Sequence, residues 1–195
     1  MKIVAVSDTH RKYNKYKIPM GDVFIHCGDC MSFGQGDIFA FIKWMMNLPH
    51  KHKIFIEGNH DWVLEDQPDI VNRFPKEINY LEDGFVYVEG YKFYGSPWVR
   101  YCEGIGAFGS TNLKEKWEDI PNDTDVLITH MPPFDYGDLG WNNQKFGCKD
   151  LLNKIEEVKP RISIFGHVHS SGGFSASNEY TSFYNVSQKV MEICL

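Results

Sequence analysis

Five apolar runs in this chain each end in residues able to bind a divalent cation or carry a proton. Val4-Ala5-Val6 leads into Ser7-Asp8-Thr9-His10, and Val23-Phe24-Ile25 into His26-Cys27-Gly28-Asp29. Ile54-Phe55-Ile56 is followed by Glu57-Gly58-Asn59-His60-Asp61, and Val126-Leu127-Ile128 by Thr129-His130. Ile162 to Phe165 opens onto Gly166-His167-Val168-His169. One Asp after a strand is ordinarily a turn residue, and one strand-end His is ordinarily a hydrogen-bonded core residue. Asp8, His10, Asp29, Asn59, His130, His167 and His169 together are harder to explain that way. Burying them unpaired would cost several kcal/mol for each charged member, whereas packing them around cations satisfies them all.

The donor types narrow the metal. Imidazole, carboxylate and amide donors without a committed thiolate suit Mn, Fe, Zn or Ni better than Ca or Mg. A closed structural zinc site takes four ligands. The larger set here fits two divalent ions that share a bridging carboxylate and keep open positions for water and substrate.

Something must bring these residues to one place. Short continuous apolar runs read as strands buried on both faces. Between them, Ile38, Phe41, Ile42 and Met45 repeat at helical spacing, with Asp37 as N-cap and Pro49 as the stop. A second apolar stripe, Leu151, Leu152, Ile155 and Val158, ends at Pro160. Strands alternating with helices predict a largely parallel sheet, and in such sheets ligands bind at the carboxyl ends of the strands. Phe85 to Glu89 and Tyr91 to Tyr94, flanking Gly90, predict an antiparallel hairpin. Ser182 to Ser187 and Val190 to Cys194 predict another, turning near Gln188. The expected fold is α/β: a four-layer αββα sandwich of two mixed β-sheets flanked by helices, forming a single domain over residues 1–195. Tyr101 to Thr111, rich in Gly and Ser, is the predicted loop over a cleft.

Composition agrees with an enzyme-sized core and argues against some partners. The net charge of −6 is wrong for a dedicated nucleic-acid binder, and two bound divalent cations would bring it to roughly −2. Five cysteines at irregular spacings suit reduced thiols better than a disulfide framework. The apolar stretch Ile3 to Val6 is too short for a signal segment. A soluble, cytoplasmic protein with no membrane association is expected, of open oligomeric state.

The ordered elements D-x-H, G-D, G-N-H-D, a later His and G-H-x-H, from Asp8 to His169, resemble the calcineurin-like metallophosphoesterase superfamily. Glu89 to Trp98, Thr129-His130-Met131-Pro132-Pro133 and Gly166-His167-Val168-His169 look like its branch of MPPED-type phosphodiesterases. The resemblance implies that Asp8, His10 and His169 hold one ion, that Asn59, His130 and His167 hold the other, and that Asp29 bridges both. Manganese is the ion the resemblance suggests first. It implies hydrolysis of phosphodiesters, cyclic nucleotides or similar small diesters, by in-line attack of a metal-bridging hydroxide. Two ions about 3.5–4 Å apart suit that step because they activate water and clamp the phosphoryl oxygens. It also makes His60 a catalytic residue, a general acid or transition-state stabiliser at the leaving oxygen. Asp61 is a second catalytic candidate; it either orients His60 or caps the following turn.

Other readings compete. A non-catalytic metal-binding scaffold would be expected to lack His60 or a ligand, and none is lost. Arg11 to Lys17, basic and interleaved with tyrosines, admits a nuclease acting on single strands, although a solvated loop explains it as well. Cys27-Gly28-Asp29-Cys30 is formally a redox spacing, but Asp29 already belongs to the metal set. Gly28, Gly58 and Gly166 flank proposed ligands either as tight strand exits or as ordinary turn glycines. Trp98, Tyr101, Phe108, Phe134, Tyr136 and Trp141 either stack on substrate or pack locally. His50 and His52 read as solvated.

Overall fold

The computed structural model describes residues 1–102 and 106–195. In chain order the elements begin with β1 (Lys2–Val6), β2 (Val23–Cys27), α1 (Ile38–Met46), β3 (His52–Ile56), α2 (Trp62–Asp66) and β4 (Ile78–Tyr80). Next come β5 (Gly84–Val88), β6 (Tyr91–Ser96), β7 (Val99–Arg100), β8 (Gly109–Ser110), α3 (Leu113–Glu118) and β9 (Val126–Thr129). The chain closes with α4 (Lys149–Val158), β10 (Ile162–Phe165), β11 (Ser175–Ser177), β12 (Ser182–Asn185) and β13 (Met191–Cys194).

Two large mixed sheets form, ordered β13-β1-β2-β3-β4 and β11-β12-β10-β9-β6-β5. All the strands that carry metal motifs run parallel to a neighbour, so their carboxyl ends lie at one end of the sandwich. Strand alternation assigns the layers. Ile3, Ala5, Ile25, Ile54 and Ile56 face Val126, Ile128, Ile162 and Ile164 across the inter-sheet core. The opposite faces, Val4, Val6, Phe24 and Phe55, are covered by Phe41, Ile42 and Met45 of α1. On the other side Leu127, Phe165 and Phe183 pack under Trp117 of α3 and Leu151 and Ile155 of α4. The order is therefore helix, sheet, sheet, helix, as expected.

Local chemistry explains the boundaries. Asp37 Oδ1 accepts from the backbone N–H of Phe39 at 2.9 Å and of Ala40 at 3.3 Å, capping α1. The β5–β6 hairpin turns at Glu89 (φ 49°) and Gly90 (φ 89°); two consecutive residues with positive φ give a turn twisted to match its strands.

Three expectations are corrected. The tail is not a hairpin: β12 pairs with β10 and β11 in one sheet, while β13 pairs with β1 in the other. Gln188 (φ 53°) lies where the chain passes between them, because Phe183 and Ile193 fill different cores. His50 is buried, its ring 5.6 Å from that of Phe24, rather than solvated. Tyr101 to Thr111 does line a cleft, through Cys102, Gly106 and Gly109, but it is not all loop: Gly109–Ser110 pairs with Val99–Arg100 and Phe108 is buried; residues 103–105 lie outside the described residues.

Among the described residues no helix is long and apolar enough to cross a membrane.

Candidate metal centre

Sharp strand exits aim the polar residues inward. Asp8 (φ 56°), His10 (φ 42°), Asp29 (φ 57°) and His167 (φ 68°) all adopt the left-handed region that non-glycine residues avoid. Such strain persists only where surrounding bonds over-determine it. Asp8 N–H donates to Gly28 O at 2.9 Å, His10 N–H to Asp29 O at 3.0 Å and Gly166 N–H to His130 O at 3.0 Å. These bonds tie adjacent strand ends together within each sheet.

All seven predicted ligands converge. Asp8, His10 and His169 can bring one donor atom each within 4.8 Å of one another, as can Asp8, Asp29 and His130. His10 Nε2 faces His169 Nε2 at 3.2 Å, and His169 Nε2 is 3.2 Å from Asp8 Oδ1. On the other side, Asn59 Oδ1 lies 3.1 Å from His130 Nε2 and 2.9 Å from His167 Nδ1. Asp29 stands between the groups: Oδ2 is 4.0 Å from His10 Nε2, and Oδ1 is 3.4 Å from His130 Nε2.

The histidines are set up differently. His10 Nδ1 lies 3.1 Å from Met31 O, and His130 Nδ1 lies 2.8 Å from Cys27 O. A carbonyl can only accept, so in the neutral ring each Nδ1 keeps the proton and each Nε2 presents a lone pair to the cluster. That is how metal-binding imidazoles are oriented. His60 is the reverse: its Nδ1 accepts from the Phe33 N–H at 3.1 Å. Its neutral ring therefore carries the proton on Nε2, which is 3.8 Å from Asp29 Oδ2. His60 can join His10 and Asp29 by distance, but its tautomer makes it a hydrogen-bond donor there rather than a ligand.

Charge follows the same layout. Burial alone would raise the carboxyls of Asp8 and Asp29, but neighbouring histidines outweigh it and hold both below the usual range. Burial would lower His130, yet Asp29 and Asp8 push it up to about 9. His167 is drawn down to about 4 by burial and by the nearby His130 charge.

These donors fit divalent ions. Nitrogen and oxygen lone pairs point at one another, which only a shared cation or proton reconciles, and among the described residues no cysteine joins the donor groups. Packing leaves no slack: a Cβ on Gly58 would stand 2.3 Å from Asp29 Oδ1, and one on Gly166 would stand 2.6 Å from Asp8 Oδ2. Those two glycines are thus required by close approach, not merely by a turn.

Asp61 does neither of the things expected of it. Its Oδ2 accepts from the N–H groups of Asp29 at 2.8 Å and Gly58 at 2.9 Å, and its Oδ1 from Met31 N–H at 2.8 Å and Cys30 Sγ at 3.4 Å. Among the described residues it makes no bond to the His60 ring and no side-chain cap on α2. Fully buried, it clamps the Asp29 loop to the Asn59 loop.

Two contributors were not anticipated. Ser187 Oγ donates to Asp8 Oδ2 at 2.6 Å, and His167 N–H donates to the same atom at 3.0 Å, leaving Oδ1 facing the cluster. The Gln188 amide lies 3.3 Å from His169 Nδ1; turned so that its oxygen faces the ring, it accepts the Nδ1 proton and leaves Nε2 free for metal, as at His10 and His130. The one available signal was that the predicted strand from Ser182 also ends in polar residues, Ser187-Gln188.

The remaining readings lose ground. Cys27 and Cys30 are buried free thiols pushed well above their usual range by burial, which suppresses the reactive thiolate. In the basic run, Tyr13 is half-buried, its ring 5.4 Å from that of Phe41 and 5.2 Å from that of Trp44. Phe108 is buried and Tyr136 stacks on Phe183 at 3.7 Å, whereas Trp141 is 86% exposed.

A family model described as calcineurin-like phosphoesterase matches residues 1–171. A UPF0046 protein of Caenorhabditis elegans is 34% identical over 96% of this chain and 70% of its own length. Metallophosphoesterase domain-containing protein 1 of Homo sapiens is 35% identical over 95% of this chain, which spans 65% of that protein. One solved crystal structure aligns with a TM-score of 0.67 at 15% identity, covering 94% of this chain and 89% of the other. GAP50, the anchor in the inner membrane complex of Plasmodium, aligns at 0.52 and 11% identity, over 96% of this chain and 71% of that one. At those identities the likeness is one of fold.

Proposed function

The chain belongs to the calcineurin-like phosphoesterase family, and from that premise we propose that it hydrolyses small phosphodiesters, cyclic nucleotides among them, at a two-metal centre. Family membership and the donor clusters support the broader statement, a metal-dependent phosphoester hydrolase. Asp8, His10 and His169 would hold one ion, Asn59, His130 and His167 the other, with Asp29 shared. The observation that carries this reading is Asp29, whose two carboxylate oxygens face histidines of opposite groups. Divalent ions bound there would supply Lewis-acid polarisation of the phosphoryl oxygens and activation of water.

The chain's own groups handle orientation and the leaving oxygen. Phe33 N–H and Gly34 N–H grip His60 at Nδ1 and at its carbonyl, at 3.1 Å each. The Nε2–H is thereby aimed into the site, where it donates to the leaving oxygen as charge develops. A group accepting at Nδ1 acts as a neutral donor rather than as an imidazolium acid. Proton or hydrogen-bond assistance of this kind contributes about 10²–10⁴-fold.

Two clefts favour a diester. One, of about 520 Å³, is lined by Asn59, Arg100, Met131, Phe146 and His167; the other, of about 390 Å³, by Trp141, Phe146, His167 and His169. They share His167 and Phe146, giving each of two ester groups its own recess.

Purified protein assayed with Mn, Fe, Zn, Ni and Mg against aryl diesters, cyclic nucleotides and monoesters tests the reading. Diester hydrolysis that needs a transition metal and collapses in Asp29→Asn is expected. Turnover of monoesters alone, or full activity of Asp29→Asn, would overturn it.

A further inference from the structure

Beside the cluster, residues 139–146 form a compact turn that presents an indole to solvent. Gly140 N–H donates to Gln144 O at 2.8 Å, Asn143 N–H to Gly140 O at 3.0 Å, and Gln144 N–H to Asn142 Oδ1 at 3.1 Å. The turn is also fastened to the residues that follow His169. Leu139 N–H donates to Ser171 Oγ at 3.2 Å, and Ser170 Oγ donates to Leu139 O at 2.7 Å. On this braced support Trp141 is 86% exposed, flanked by Leu139 at 43% and Phe146 at 41%.

Large aromatic side chains are mostly buried in folded proteins, and exposed apolar groups gathered at a cleft mark binding surfaces. Here the cleft is shared with the metal centre: Trp141, Asn142 and Phe146 line the same recess as His167 and His169. A group attached to a phosphorus atom held at the cluster would enter that recess. We propose that Trp141 is the stacking platform for a planar aromatic group of the phosphoester, so that the site selects aryl-bearing over alkyl-bearing substrates. This rests on the phosphoesterase reading and adds the chemical class of one substituent. A rigid presenting turn suits the role because little ordering is left to offset binding. Loss of an aromatic stacking partner weakens binding by about 5- to 150-fold.

The test is calorimetric titration of the metal-loaded protein with the methyl half-esters of phenylphosphonate and of methylphosphonate, singly charged diester analogues that differ only in phenyl for methyl. Wild type is expected to bind the phenyl compound about tenfold or more tightly. Trp141→Ala should abolish that ratio and leave the methyl affinity and thermal midpoint unchanged, while Trp141→Phe should retain most of it. Equal affinities in wild type, or a ratio that survives in Trp141→Ala, overturns the stacking role. A loss of both affinities together in Trp141→Ala also overturns it. Failure of both compounds to bind wild type would instead remove the phosphoesterase reading, and this inference with it.

Discussion

Ser187 Oγ donates to Asp8 Oδ2 across 2.6 Å, joining residues 179 positions apart in the chain. The bond, with that from His167 N–H, occupies one carboxylate oxygen and turns the other toward His169. Ser187 lies beyond the segment matched by the family model, in the crossing between the two sheets.

Ser187→Ala is therefore expected to weaken metal binding about 10- to 100-fold. Because the residue is fully buried, some stability will also be lost, on the order of 1.5–3 kcal/mol for a hydrogen bond to a charged group. Titrating metal into the metal-stripped variant separates the two effects. Unchanged metal affinity alongside reduced stability would leave Ser187 a purely structural residue.

His60→Ala is expected to retain metal and lose about 10²–10⁴-fold in turnover, most severely on alkyl diesters with poor leaving groups. Metal content by elemental analysis and kcat on paired aryl and alkyl substrates check this. Wild-type rates on an alkyl diester would exclude the leaving-oxygen role.

Asp61→Ala should act on the fold first. Three buried backbone donors, from Asp29, Met31 and Gly58, would lose their acceptor. Each such orphan costs about 1–3 kcal/mol, so a loss of several kcal/mol in urea unfolding is expected. Activity should fall with it as Asp29 is released. Full stability with selective loss of turnover would restore Asp61 to the chemistry.

Metal affinity should depend on pH through His130. Its pKa, raised to about 9 by Asp29 and Asp8, means the imidazolium pairing stabilises the folded chain fully below the ordinary value of 6.5 and is lost as pH rises through about 9. Metal needs the neutral ring. Affinity is accordingly expected to rise about tenfold per pH unit from neutrality and to level off above about pH 9. Titrations in buffers of different ionisation enthalpy would report the released proton; a flat profile would contradict the assignment of His130.

The residue order alone determined a great deal. Apolar runs of β-branched and aromatic residues can be read locally, since burial on both faces needs no partner to be named; β1, β2, β3, β9 and β10 follow directly. Polar residues at their carboxyl ends then had one place to meet, and the cluster from Asp8 to His169 was legible before any coordinates.

What only the tertiary structure decided were directions and partners. Which nitrogen of His60 or His10 carries the proton depends on whether an N–H or a carbonyl lies opposite, and those belong to Phe33 and Met31, on loops the chain pattern does not orient. Asp61 was legible as polar, but its donors other than Gly58, those of Asp29, Cys30 and Met31, lie 30 to 32 residues away in the chain. The tail read as a hairpin because alternation records burial without recording which sheet provides it; β12 and β13 are buried in different sheets, and that crossing sets Ser187 against Asp8. Hydrophobic patterning is a property of each segment, whereas a hydrogen bond is a property of two, and the second partner is chosen only when the layers close.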